Sequence, residues 1–233
     1  MKKIIALVAV LFLSGCAELQ SVVNNLPNQV GVDNTTIASG LRQALDFGID
    51  KQVTKLTQEN GFYGNSLVKI LLPEELQKVD NTLRSVGLGS LADEGLKVLN
   101  RAAEDAVGTA TPIFIDAVKG ITFNDAKNIL LGADNSATSY LENKTNTALY
   151  AQFNPIIKES FNKVGADKIW SNLITKYNAL PLTNDVNPDL TDYVTNQALK
   201  GVYTMIALEE KDIRTNAAAR TTTLLQKVFA LQD

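Results

Sequence analysis

The stretch Leu91–Lys119, LADEGLKVLNRAAEDAVGTATPIFIDAVK, decides the fold class. Leu99, Ala102, Ala106, Ala110, Ile113 and Ala117 recur at steps of three and four, the period of one helix face. Leu96, Ala103, Val107, Phe114 and Val118 form a second stripe beside it. The two stripes together are too wide for one partner, so the spacing predicts a central helix packed on more than one side. Gly108 and Pro112 interrupt it. Proline removes a backbone donor and disfavours helical geometry at Thr111, so a bend or short break is expected near Thr109.

The same period extends outward on both sides. Ile37, Leu41, Leu45, Ile49, Val53 and Leu56 mark a first helix, with Thr35 or Thr36 suited to cap it. Asn60-Gly61-Phe62-Tyr63-Gly64-Asn65 stops it, because glycine and asparagine accept the positive φ of a tight turn, and the two rings can pin that turn to the body. Pro73, with Glu74 and Glu75 behind it, opens a helix carrying Leu76, Val79, Leu83 and Val86 inward as far as Gly87 and Gly89. Beyond Gly120, Thr122 and Asp125 have the form of a capping box. Asn135, Ser136 and Thr138 open a helix through Tyr140, Leu141 and Leu149. Pro155 then breaks or initiates a segment with Ile156, Ile157, Phe161 and Val164 inward. Residues 166–177 hold Ile169, Trp170, Leu173 and Ile174, and a polar connector from Leu180 to Asp189 leads to a C-terminal unit, Leu190 to Leu231. No segment alternates as a strand would, and no solenoid repeat is evident. The expectation is an all-α protein with one multi-helix domain over residues 35–233, built around the long central helix.

The N-terminus has a different character. Lys2 and Lys3 precede an apolar run from Ile4 to Leu13, which ends in Leu13-Ser14-Gly15-Cys16. That order of charged, apolar and small residues before a cysteine is a lipoprotein signal, and the run is too short for a comfortable membrane span. Residues 1–15 are therefore read as the signal, Cys16 as the lipid-attachment residue carrying palmitate-type acyl chains, and residues 16–34 as a tether. Ala17, rather than an aspartate, follows the cysteine, which by resemblance to Gram-negative lipoproteins implies passage to the outer membrane, with the body facing the periplasm.

Loss of Lys2 and Lys3 leaves 20 of the 22 basic side chains against 25 acidic ones, a formal charge of −5. Nucleic acid binding needs a clustered basic surface, so no nucleic-acid partner is expected. The chain has no histidine and its single cysteine is assigned to the lipid. Ser-His-Asp and Cys-His catalysis, histidine-containing zinc sites and Glu-x-x-His di-iron sites are thereby excluded.

Polar candidates remain. In the C-terminal unit Val194, Ala198, Val202 and Met205 make an inward stripe whose next position is Glu209, and a buried carboxylate is costly unless paired. It can form a ligand or metal site with Glu104 or Asp105, or a structural ion pair with Arg101, Arg214 or Arg220. On the central helix Arg101 stands three and four residues from Glu104 and Asp105. That spacing serves either a surface salt bridge or an oxygen-lined site for a hard cation. Glu210 and Arg214, four apart, read as a solvated helix pair. Arg220 among Thr221, Thr222 and Thr223 reads as an anion contact or as a cap with a salt bridge. No catalytic residue, metal or cofactor is assigned.

Gly40-Leu41-Arg42, Gly61-Phe62-Tyr63-Gly64, Asn100-Arg101-Ala102-Ala103-Glu104, Tyr193-Val194-Thr195, Ile213-Arg214 and Arg220-Thr221-Thr222 through Val228-Phe229 together resemble the bacterial family known as domain of unknown function 4197. The resemblance runs from about Gly40 to Phe229 and departs at Ala217, where the family often has proline. It implies an α-helical envelope protein and carries no established activity. The expected role is binding or scaffolding in the cell envelope, with the membrane as partner through the lipid and an envelope protein or small molecule as a further one. The alternatives are a carboxylate-based or metal-dependent envelope hydrolase using Glu104, Asp105, Asp125 or Glu209, and a carrier of an apolar envelope molecule, which needs a sizeable cavity between helices.

Overall fold

The computed structural model describes residues 33–85, 89–164, 168, 171, 175 and 189–232. The signal, Cys16 and most of the tether lie outside the described residues, as do most of the 180–189 connector and the side chains of Val79, Leu83 and Leu91. Of the helix expected over 166–177, Lys168, Ser171 and Thr175 are described, each of them helical.

The described residues form α1 (Asn34–Leu56), α2 (Glu74–Ser85), α3 (Gly89–Val107), α4 (Thr111–Lys119), α5 (Phe123–Leu130), α6 (Ser136–Val164) and α7 (Thr191–Thr215). A 3₁₀ turn (Ala217–Ala219) and α8 (Thr223–Phe229) follow. No strand occurs among them, as the periodicity predicts. The first helix starts at Asn34, so Thr35 and Thr36 stand within its first turn. The capping box before α5 is complete: Thr122 Oγ1 accepts the Asp125 N–H, and Asp125 Oδ2 accepts the Thr122 N–H. Asn216 caps the 3₁₀ turn, its side chain accepting from the Ala218 N–H.

The 91–119 stretch breaks where Gly108 and Pro112 predict. The Thr109 and Ala110 N–H groups reach back three residues, to Ala106 and Val107, and Thr109 Oγ1 also donates to the Ala106 carbonyl. The buried ridge then runs through Leu99, Ala102, Ala106 and Ala110 into Phe114 and Val118, whereas Ile113 and Ala117 are half-buried. The largest departure from expectation is α6. It passes through Pro155 without ending, and Ala137, Leu141, Thr145, Leu149, Phe153, Ile157 and Phe161 form one unbroken buried i+4 ridge. Pro155 is exposed, so its ring lies off that ridge and its missing N–H costs one hydrogen bond on the wet side.

α7 packs against α6, α1 and α3, and α8 closes on α1. The 91–119 stretch is likewise packed on several sides, α3 against α6, α7, α2 and α1 and α4 against α1 and α6, as its two stripes predict. Two glycines mark close approaches. A Cβ at Gly201 would lie 2.6 Å from the Phe62 ring, and one at Gly40 would lie 2.4 Å from Val228 Cγ2. Phe62 therefore pins the 60–65 turn onto α7, and Asn60 at φ 64° makes the turn itself.

Candidate functional site

α3 carries its polar face toward the segment between α1 and α2. Asn100, fully buried, accepts the Ile70 N–H at 2.8 Å and donates to the Ile70 and Leu96 carbonyls at 2.9 and 2.8 Å. One turn on, buried Glu104 accepts the Phe62 N–H at 3.1 Å and pairs with Arg101 at 3.0 Å, while Arg101 reaches Glu59 at 3.2 Å. These two side chains satisfy backbone groups that a loop buried against a helix would otherwise leave unpaired. Asp105 is exposed and accepts from Ser160.

Glu209 is buried, as its stripe position requires, but none of the three arginines considered for it is its partner. Lys51 at 2.6 Å and Gln52 at 2.7 Å, both on α1, take it instead. Its methylenes fit against Gly48, where a Cβ would stand 3.4 Å away. Glu104 and Glu209 share no partner. Among the described residues no three carboxylates gather as a cation site would require.

The Glu210–Arg214 pair is buried, with side chains 6% and 3% exposed, which corrects its reading as a solvated pair. Glu210 accepts the Ala137 and Thr138 N–H groups and the Thr138 hydroxyl, all at 2.8 Å, at the start of α6. Arg214 donates to the Ile129 and Leu130 carbonyls at the end of α5. The anion thus stands at a helix N-terminus and the cation at a helix C-terminus, each where the local dipole favours it. Arg220 donates to the Ile213 and Arg214 carbonyls at the end of α7, and its guanidinium stands 6.0 Å from the Phe229 ring. Arg220 thus closes the end of α7 behind it, while the cap of α8 is Thr222, whose Oγ1 accepts the Leu225 N–H. Asn100 carried a legible signal, a polar residue on an apolar face. Gln52 carried the same signal, between Ile49 and Leu56 on the buried face of α1; for Lys51, whose side chain is half exposed, no local signal exists.

The concave surface of interest lies elsewhere. α6 and α7 run antiparallel, held by Thr145–Tyr203 at 2.8 Å, Tyr150–Asp192 at 2.5 Å and Asn154–Thr195 at 3.3 Å. Between the first half of α6 and the middle of α7 they enclose an open trough of about 540 Å³. Asn135, Glu142, Asn146, Asn196, Lys200 and Thr204 stand along it above Leu199 and Tyr203. Thr145 Oγ1 spends its proton on the Leu141 carbonyl at 2.7 Å, so the Tyr203 hydroxyl is the donor to Thr145. Burial pushes the Tyr203 phenol up to about 12, which keeps it a neutral donor. A second cavity, between α1 and α7 beside Gly48 and Glu209, has about 20 Å³, room for one water.

Neither a curated protein nor a solved structure matches the chain. A family model described as "Protein of unknown function (DUF4197)" matches residues 31–230. The match spans both the polar contacts of α3 and the buried Glu210–Arg214 pair, and the chain belongs to that family.

Proposed function

We propose that this chain is a lipid-anchored outer-membrane protein facing the periplasm, whose helical body binds or scaffolds another envelope component through the α6–α7 trough. The observation that carries the binding half is a contrast in how polar side chains are used. Glu104, Glu209, Glu210, Arg214 and Arg220 are consumed by backbone caps and ion pairs, whereas the trough offers polar groups that the fold does not need. The anchoring half rests on Lys2, Lys3, the Ile4–Leu13 run and Cys16. Among the described residues no helix is long and apolar enough to cross a membrane.

Two measurements test it. Cys16→Ala is expected to abolish lipid labelling and release the protein from the membrane fraction; a variant that stays fully membrane-bound overturns the anchor. A photo-reactive side chain in place of Asn146, in the trough, is expected to give a discrete cross-linked adduct in intact cells. The same group at Ala148, exposed and rotated by roughly 200° around α6, is expected to give none. Equal adducts from both positions, or none from either, overturn the trough as the binding surface.

A further inference from the structure

We infer that the α6–α7 trough accepts a neutral oligosaccharide carrying N-acetyl groups, an inference that rests on the trough being the binding surface. From Asn196 to Ala207 it follows α7 for roughly 16 Å at 1.5 Å per residue, long enough for a short linear chain rather than a single small molecule. Charge limits what can lie there. The ionic side chains facing the trough are Glu142 and Lys200, one of each sign, so it selects neither a polyanion nor a polycation.

The floor limits it further. Of its apolar lining, Leu199 and Tyr203 are only 2% and 5% exposed and Ala207 is half-buried with a single methyl, so an acyl chain or an apolar peptide side chain gains little burial there. Strand addition, one of the ways a peptide is held, has no sheet edge to use among the described residues. The rim presents neutral groups that both donate and accept. Asn135, Asn146 and Thr204 hold side-chain amides and a hydroxyl with no hydrogen bond to the described protein, and the Asn196 amide uses its nitrogen on Asp192 while its oxygen remains open. An acetamido group pairs with a primary amide as donor and acceptor at once, and sugar hydroxyls match the rest. A ligand of this class brings many polar groups and no charge to desolvate.

The test uses the full chain in detergent and the linear tetramer of N-acetylglucosamine as the probe, read by saturation-transfer NMR and titration calorimetry. The acetyl methyls are expected to receive saturation. Asn146→Leu/Asn196→Leu, two exposed positions, is expected to weaken binding at least tenfold with an unchanged melting curve. Tetra-alanine at the same concentration is expected not to bind. No transfer to the tetramer, equal binding by the double variant, or binding of tetra-alanine in its place overturns the inference. If the tetramer fails while the cross-link from position 146 persists, the ligand class is wrong and the trough stands; if both fail, the trough reading falls with it.

Discussion

Replacing Glu210 with alanine tests the claim that the α5–α6 junction is held by one buried ion pair. Glu210 accepts five hydrogen bonds: the Ala137 and Thr138 N–H groups, the Thr138 hydroxyl, and two from Arg214. Its removal leaves two N–H groups of α6 without partners, on residues 1% and 5% exposed. It also leaves a guanidinium whose side chain is 3% exposed, still bonded to two carbonyls but without a counter-charge. Breaking a buried pair from one side costs about 3–5 kcal/mol, and the lost cap falls within that figure because it shares the same carboxylate. At about 4 kcal/mol, and about 2–4 °C per kcal/mol for a chain of this size, the melting temperature is expected to fall by about 8–16 °C. Glu159→Ala is the control. Glu159 and Lys163 have the same i,i+4 spacing but are 66% and 69% exposed, so the loss should stay below about 0.5 kcal/mol. Urea unfolding followed by circular dichroism measures both variants. The Glu210→Ala/Arg214→Met double variant then closes the cycle, with an expected coupling of at least about 2 kcal/mol. A Glu210→Ala loss no larger than the Glu159→Ala loss, or a cycle without coupling, refutes the reasoning.

Three further outcomes are expected. Glu209→Ala should cost about 2 kcal/mol, because it strips the Gln52 amide nitrogen of its partner when the Gln52 Oε1 atom is already buried without one; Lys51→Ala, at a half-exposed position, should cost under about 1 kcal/mol in the same melts. Asn100→Ala should cost about 3 kcal/mol and open the 60–72 segment to limited proteolysis, since both polar backbone groups of Ile70 lose their partner; a digestion pattern like that of the parent chain would count against this. For Tyr203 the folded pKa is raised to about 12, above the roughly 10 of an unfolded tyrosine, so the unfolded chain gives up its proton first. Stability should be unaffected below pH 10 and fall as pH rises from 10 to 12. Tyr203→Phe should flatten that fall, and an equally steep decline in the variant would assign it to another group.

The all-α class and the break at Gly108 follow from short-range features, namely a 3.6-residue period and a proline with a glycine nearby. The continuity of α6 through Pro155 does not, because it depends on which side of the helix the proline occupies. With Leu149, Phe153 and Ile157 buried and Pro155 in water, packing along the ridge outweighs one lost hydrogen bond. The width of the two stripes on the 91–119 stretch did foretell more than one partner, and α3 packs on α6, α7 and α2. Periodicity says which face turns inward and is silent about which helices meet it.

The polar residues divide along the same line. Glu209 is conspicuous from its place on an apolar stripe, but its partners, Lys51 and Gln52, lie 158 and 157 residues away on a different helix. Glu210–Arg214 and Glu159–Lys163 have one spacing and opposite environments, so the i,i+4 rule cannot rank them. What separates them is that Glu210 and Arg214 also face the two unsatisfied helix ends at the α5–α6 junction, a fact of tertiary structure. The trough is the extreme case. Thr138, Glu142 and Asn146 at steps of four read as an ordinary solvated face, as do Asn196, Lys200 and Thr204 on α7. Only the antiparallel pairing of α6 and α7 turns two such faces into the walls of one concavity. A buried charge in this chain therefore reports on how helix ends are closed, and the neutral amides and hydroxyls left over by the fold are where recognition should be sought.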